Sequence, residues 1–182
     1  MEWMFMPLKR YAEFSGRSRR QEFWMFTLGV FILYLLLWVI AMVAVGFSMG
    51  GMAASTSGGA ALGGMMGMFA SLGILAIVFL VVWLALLIPT IAVAIRRLHD
   101  TNRSGWWLWI YIGPYLLSFV LNIMAVSSSS NGLAMIAGLV GLIGLVGAIV
   151  LLVFYCLPGT PGPNQYGPDP LGGAGNLNET FS

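Results

Sequence analysis

Charge is nearly absent from this chain. Only 8% of its 182 residues are Asp, Glu, Lys or Arg, against about 25% in a soluble domain. A protein so poor in charge cannot cover a water-facing surface, so a soluble globular class is excluded. Cysteine is down to one, Cys156. That excludes an intramolecular disulfide and a thiolate-held metal cluster, and a thiol closing an apolar run reads as buried and inert. His99 is the only histidine, and with few carboxylates the sequence offers no metal centre. No cofactor motif is present either. Basic residues are missing from most of the chain, and the absence of any basic patch away from two short segments excludes nucleic acid as a partner.

What remains is apolar. Four runs carry no Asp, Glu, Lys, Arg or His: residues 23–47, 69–95, 106–126 and 133–157. A hydrocarbon core of about 30 Å needs about 20 helical residues, so each run is long enough to cross it. The alternation expected of a transmembrane barrel strand is missing, which leaves helices. The first run is too long for a signal peptide and lies behind 22 residues, so it reads as a retained span. The expected fold is an all-α integral membrane protein with four transmembrane helices. A basic juxtamembrane segment occupies 1–22, the helical domain 23–157 and a Pro/Gly-rich tail 158–182.

The cations set the threading. Lys9, Arg10, Arg17, Arg19 and Arg20 precede the first run, and Arg96, Arg97 and Arg103 lie between the second and third. By the positive-inside rule both ends and the 96–105 loop are cytoplasmic. The Gly/Ala/Ser/Met-rich stretch between the first two runs reads as a flexible outer loop, and its methionines give only a weak Cu(I) signal. Ser127 to Gly132 reads as a tight turn between two antiparallel helices. Both sequons, at Asn102 and Asn178, fall on the cytoplasmic side in this threading and stay unmodified.

Local signals refine the elements. Ser18 and Gln21 fit a capping box at the start of the first helix, and Glu22 suits its first turn. Residues 8–16 mix apolar and charged positions, as a short surface-lying stretch does. Pro89 and Pro114 are expected to kink their helices. Gly138, Gly141, Gly144 and Gly147 recur in steps of three, so they should wind around the fourth helix and pack it against more than one neighbour. A homo-oligomer or another membrane protein could use that helix, 133–157.

The densest polar stretch is Arg96 to Trp107. On a continued helix Arg96, Asp100 and Arg103 share one face, so Asp100 should neutralise one of the two. Trp106, Trp107 and Trp109 restart the next helix at headgroup level. The bland reading is a topology-setting loop. The sharper one is a contact for anionic lipid or a protein partner through Arg19, Arg20, Arg96, Arg97, Arg103, Trp106 and Trp107. Catalysis has little support, since His99 and Asp100 are adjacent and no nucleophile is placed with them. After Leu157 five prolines end the helix, and this stiff segment is expected to fold back, Asp169 pairing with an arginine and Tyr166 packing on the tryptophans.

Three blocks carry a resemblance: Leu8 to Arg17 with Arg19 to Trp24; Ile88 to Asp100 with Ser104 to Trp107; and Pro158 to Pro170. Together they resemble the bacterial domain-of-unknown-function 805 family, the YhaH-like inner-membrane proteins. The resemblance implies a multi-pass protein of the bacterial plasma membrane and brings no activity or catalytic residue. The expected function is that of a non-enzymatic membrane component acting on lipids or proteins through its cytoplasmic face. A small transporter or channel subunit is the alternative, disfavoured because only Thr27, Ser71, Thr90, Ser118 and Asn122 are polar within the spans.

Overall fold

The computed structural model describes residues 2–53 and 58–172. Its elements are α1 (Glu2–Lys9), α2 (Arg20–Ala53), α3 (Gly58–Asp100), a 3-10 turn (Gly105–Leu108), α4 (Trp109–Ser128) and α5 (Asn131–Cys156). No strand occurs among the described residues, only an isolated bridge between Asn164 and Gly167. Four helices are long and apolar enough to cross a membrane: 20–47, 62–100, 105–128 and 131–156.

Two expectations about α2 and α3 need correction. The stretch expected as a loop is helical over 48–53 and 58–68. Met and Leu are strong helix formers, and at low polarity an unpaired backbone costs more than the glycines do. The capping box is not formed: α2 opens at Arg20, and the buried Ser18 hydroxyl makes no hydrogen bond. The Ser18 amide donates instead to the Arg96 carbonyl at 3.1 Å.

The chain divides into two compact units. The first holds residues 1–11 and 24–90. Here α1 lies so close to α2 that a Cβ on Gly29 would stand 2.9 Å from the Met4 side chain. Tyr34 of α2 and Phe79 of α3 stack with centroids 6.4 Å apart. α3 runs through Pro89 without a break. Proline lacks an amide, so the Ala85 carbonyl loses its i+4 donor; the Tyr11 hydroxyl supplies one at 2.7 Å. Much of the remaining surface is large and apolar, with Phe31 62% exposed. Such a surface is stable against hydrocarbon and not against water.

The second unit holds residues 12–23 and 91–182, described to 172. Its α4–α5 hairpin turns at Ser129, a left-handed residue (φ 50°), and Ser130 returns its amide to the Ala125 carbonyl. Together with the Ser129 amide on Val126 this is a Schellman closure. The glycines of α5 drift around the helix as expected, but three of the four meet a single neighbour, α4. Ala137, Gly144, Gly147 and Leu151 are buried, and Gly141, Gly144 and Gly147 meet Ser118, Pro114 and Ile110 of α4. Each three-residue step falls about 60° short of a turn, so one face takes three such positions and leaves Gly138 in open space. Gly141, Gly144 and Gly147 thus lie on the face turned to α4. Pro114 frees the Ile110 carbonyl, and Gly147 packs so tightly on that carbonyl that a Cβ would overlap it.

Candidate functional site

The best-buried stretch of the chain is the last turns of α3, where Val93, Arg96, Arg97, Leu98 and Asp100 lose nearly all solvent contact. α3 ends in a Schellman closure: Arg103 donates to the Leu98 carbonyl and Asn102 to that of His99. Asn102 takes the left-handed position (φ 57°), a role asparagine tolerates better than most residues. This sharp stop places Asp100 in the last turn and delivers the chain to Gly105, whose Cβ would press on Ile95 at 3.1 Å.

Asp100 is the hub. Its Oδ1 accepts from Arg17 Nε at 3.0 Å and lies 2.9 Å from Arg17 Nη2, while its Oδ2 takes Arg97 Nη1. Its partners are therefore Arg97 and Arg17, not the Arg96 or Arg103 expected from one helix face. The reason is that α3 stops before Arg103, and Arg17 arrives from 83 residues away. Arg96 is instead ion-paired with Glu22 of α2 at 3.3 Å, both buried. Three buried arginines against two buried carboxylates leave this interior one charge positive.

Both arginines on Asp100 also serve carbonyls. Arg97 donates to Tyr155 at 3.1 and 3.2 Å and to Leu157, closing the open end of α5, which Arg20 also reaches through Leu157 at 3.0 Å. The last carbonyls of a helix lack internal partners and carry its negative end, so cations belong there. Arg17 donates to Thr160 at 2.5 Å and Gly162 at 2.6 Å. Thr160 returns its amide to the Asp100 carbonyl at 2.8 Å, and Asn164 Nδ2 donates to the His99 carbonyl at 2.9 Å. Residues 158–170 therefore lie on the end of α3. Gly159 makes this approach feasible, because a Cβ there would overlap the Asp100 carboxylate.

Tyr166 lies on the His99 ring rather than on the tryptophans, stacked at 3.9 Å and nearly parallel. His99 Nδ1 stands 3.2 Å from the Gly16 carbonyl. Asp169 spends its carboxylate on the amides of Gly162 and Leu171, at 3.0 and 2.9 Å, instead of on an arginine. Those two bonds, with the fields of Arg17 and Arg19 adding less, hold its pKa below the ordinary carboxylate value. Arg19 donates Nε to the Pro170 carbonyl.

The proposed contact residues thus separate. Arg96 and Arg97 are 0% exposed and engaged inside the protein, so they do not reach a lipid or partner surface. Arg19 is part-exposed and Arg20 exposed. Arg103 lies 3.9 Å over the Phe154 ring, on which Trp107 also packs edge-on at 5.2 Å, and Trp106 is 78% exposed. Cys156 is exposed rather than buried. Sequence reasoning missed Arg17, Glu22, Gly159, Thr160 and Asn164. Each lies in or beside one of the three motif blocks, which was the available signal. Among the described residues no group of three His, Cys, Asp or Glu side chains is close enough to hold a metal.

Fold and site define an all-α integral membrane protein with four spanning helices and a polar knot at the junction of its three motif blocks. The chain belongs to the family described as "Protein of unknown function (DUF805)", whose model matches residues 11–168. It is similar to the inner membrane protein YhaI of Escherichia coli K12, 33% identical over 174 residues, covering 96% of this chain and 99% of that one. It is also similar to the inner membrane protein YhaH of the same strain, 32% identical over 170 residues, 93% and 97% of the two chains. Its place is the inner membrane. No solved structure matches it.

Proposed function

We propose that the protein is a non-enzymatic membrane component whose arginine-rich end faces the cytoplasm and holds anionic lipid at its surface. The observation that carries this reading is the group formed by Arg103 over Phe154, with Trp107 on the same ring and Trp106 78% exposed beside it. An arginine fixed among exposed tryptophans suits an interface where apolar chains meet charged headgroups. The buried arginines supply no surface contact; their role is to hold the platform together.

Transport draws no support from the span interiors. Ser71 bonds to its own Met68 carbonyl at 2.9 Å, Ser118 to Ala137 at 2.8 Å and Asn122 to Ser118 at 2.9 Å. Each of these three polar groups is engaged by a backbone carbonyl, so none favours the transport reading. The test is native mass spectrometry of the full chain in mild detergent. Phosphatidylglycerol should be retained over phosphatidylcholine, and the double variant Arg103→Gln, Trp106→Ala should lose that preference. Equal retention of both lipids by the unaltered protein defeats the reading.

A further inference from the structure

A second feature lies apart from that surface. A cavity of about 380 Å³ opens where α2 begins, walled by Arg17, Arg19, Arg20, Asp100, Thr160, Asp169 and the prolines of the 158–170 segment. Its size is within the range of about 300–1,000 Å³ usual for small-molecule sites. Neither Arg103 nor Trp106 lines it.

Three arginines and two carboxylates line this cavity. Both of its carboxylates are already engaged, Asp100 by Arg17 and Arg97 and Asp169 by the amides of Gly162 and Leu171. Arg20 donates Nε to the Leu157 carbonyl, and Arg19 donates Nε to that of Pro170. A carbonyl orients a guanidinium without neutralising it, and leaves the terminal fork of Arg20 for a second partner. Gln21, in the first turn of α2, also lines the cavity. The Ser18 hydroxyl that would have capped this end makes no hydrogen bond, and the positive end of a long helix adds to the field. Arg17, held on three oxygens, Asp100 Oδ1 and the Thr160 and Gly162 carbonyls, by its Nε and two Nη groups, forms a fixed wall rather than a mobile arm.

We infer that this cavity binds a phosphate group, with Arg20 and Arg19 as its ligands and residues 158–171 as its floor. Planar guanidinium forks match phosphate oxygens in pairs. The phosphate belongs either to a lipid headgroup or to a soluble ester, and the same arginines would take both. The site stands independently of the tryptophan surface.

The test uses the full chain purified in non-ionic detergent. Inorganic phosphate and glycerol 3-phosphate are titrated by calorimetry, and retained phosphatidylglycerol is counted by native mass spectrometry. One saturable phosphate ligand per chain is expected. Arg20→Gln should weaken it about fivefold, the effect of one cation near an anionic group, Arg20→Lys should restore most of it, and Arg103→Gln should leave it unchanged. Arg19→Gln gives a second variant with the same expected loss. Displacement of retained phosphatidylglycerol by glycerol 3-phosphate identifies a headgroup as the source, whereas binding of free phosphate with no lipid retained identifies a soluble ester; either supports the site. Absence of binding by any of the three probes, or binding that Arg20→Gln and Arg19→Gln both leave intact, overturns it. Lipid lost only in Arg103→Gln, Trp106→Ala, with no binding of inorganic phosphate or glycerol 3-phosphate, upholds the surface reading and overturns the cavity.

Discussion

The Tyr11 hydroxyl donates to the Ala85 carbonyl, the acceptor that Pro89 leaves without an amide. A proline inside a spanning helix is tolerated when a neighbour satisfies the group it frees, and here the neighbour comes from the segment before α2. The bond predicts a conditional energy. Tyr11→Phe should lower stability by about 0.5–1.5 kcal/mol, the usual net worth of such a bond. In a Pro89→Ala background the helix serves Ala85 itself, and the same substitution should cost nearly nothing. A double-mutant cycle by thermal unfolding in detergent measures the difference; equal costs in both backgrounds would refute the coupling.

Asp100 carries two buried arginines, so its loss strands two charges. Asp100→Asn keeps the shape and removes the charge. Breaking a buried pair this way costs about 3–5 kcal/mol, and the melting temperature should fall accordingly. Gly159→Ala should destabilise through the same carboxylate by about 1–3 kcal/mol, the range for overpacking.

The α4–α5 seam predicts opposite outcomes for two glycines nine residues apart. Gly147→Ala drives a methyl into the Ile110 carbonyl and should cost about 1–3 kcal/mol. Gly138→Ala meets nothing within 4 Å and should be neutral or stabilising, by up to about 1 kcal/mol from helix propensity. Melting curves of the two variants decide; comparable destabilisation would mean the seam is wrongly placed.

Asp169 gives the tail a pH dependence. Its carboxylate is held below the usual value by the amides of Leu171 and Gly162. A depressed pKa stabilises the docked segment at pH above the unfolded value of about 4, and that contribution disappears as pH falls through the lower folded value. Amide exchange at residues 160–171 should therefore speed up on acidification below about pH 4. Asp169→Asn should exchange faster at neutral pH and lose the acid response. An unchanged profile in the variant would remove Asp169 from the account.

Orientation follows from the positions of the cations. In a Cys156→Ser background, cysteines at positions 10 and 165 should resist a membrane-impermeant thiol reagent applied from outside, while one at 129 should react. The reverse pattern would invert the threading and move the proposed lipid contacts to the other leaflet.

The four spans were legible because length and apolarity alone define them, and the hairpin at Ser129 followed from a short polar break. Residues 48–53 and 58–68 were not, because Gly, Ala and Ser read as loop by composition while α2 and α3 extend through them and pair their backbone groups within each helix. Asp100 was recognisable as a counter-ion, yet its partner was misread. Helical spacing points to Arg96 and Arg103, and no local rule announces a Schellman stop at Asn102 or an arginine 83 positions upstream. The seam of α5 failed for a similar reason: periodicity shows that glycines drift, and only a neighbouring helix shows which of them share a face. The fold-back of residues 158–170 was expected from stiffness and the available cations, but its contacts are backbone carbonyls and amides, which sequence patterns do not display.

Arg17 joins an element made early to one made much later. It reaches Asp100 across 83 residues and the Gly162 carbonyl across 145. Chains leave the ribosome N-terminus first, so Arg17 emerges long before either oxygen exists. All four spans must be synthesised before the final partners of this guanidinium appear. The knot therefore closes only after Gly162 has been made. A nascent chain halted at Leu157 holds every apolar span but lacks the carbonyls of Thr160 and Gly162, leaving Arg17 with Asp100 alone of these partners. Quality control at the membrane surface could read arrival of the 160–162 segment from a single arginine.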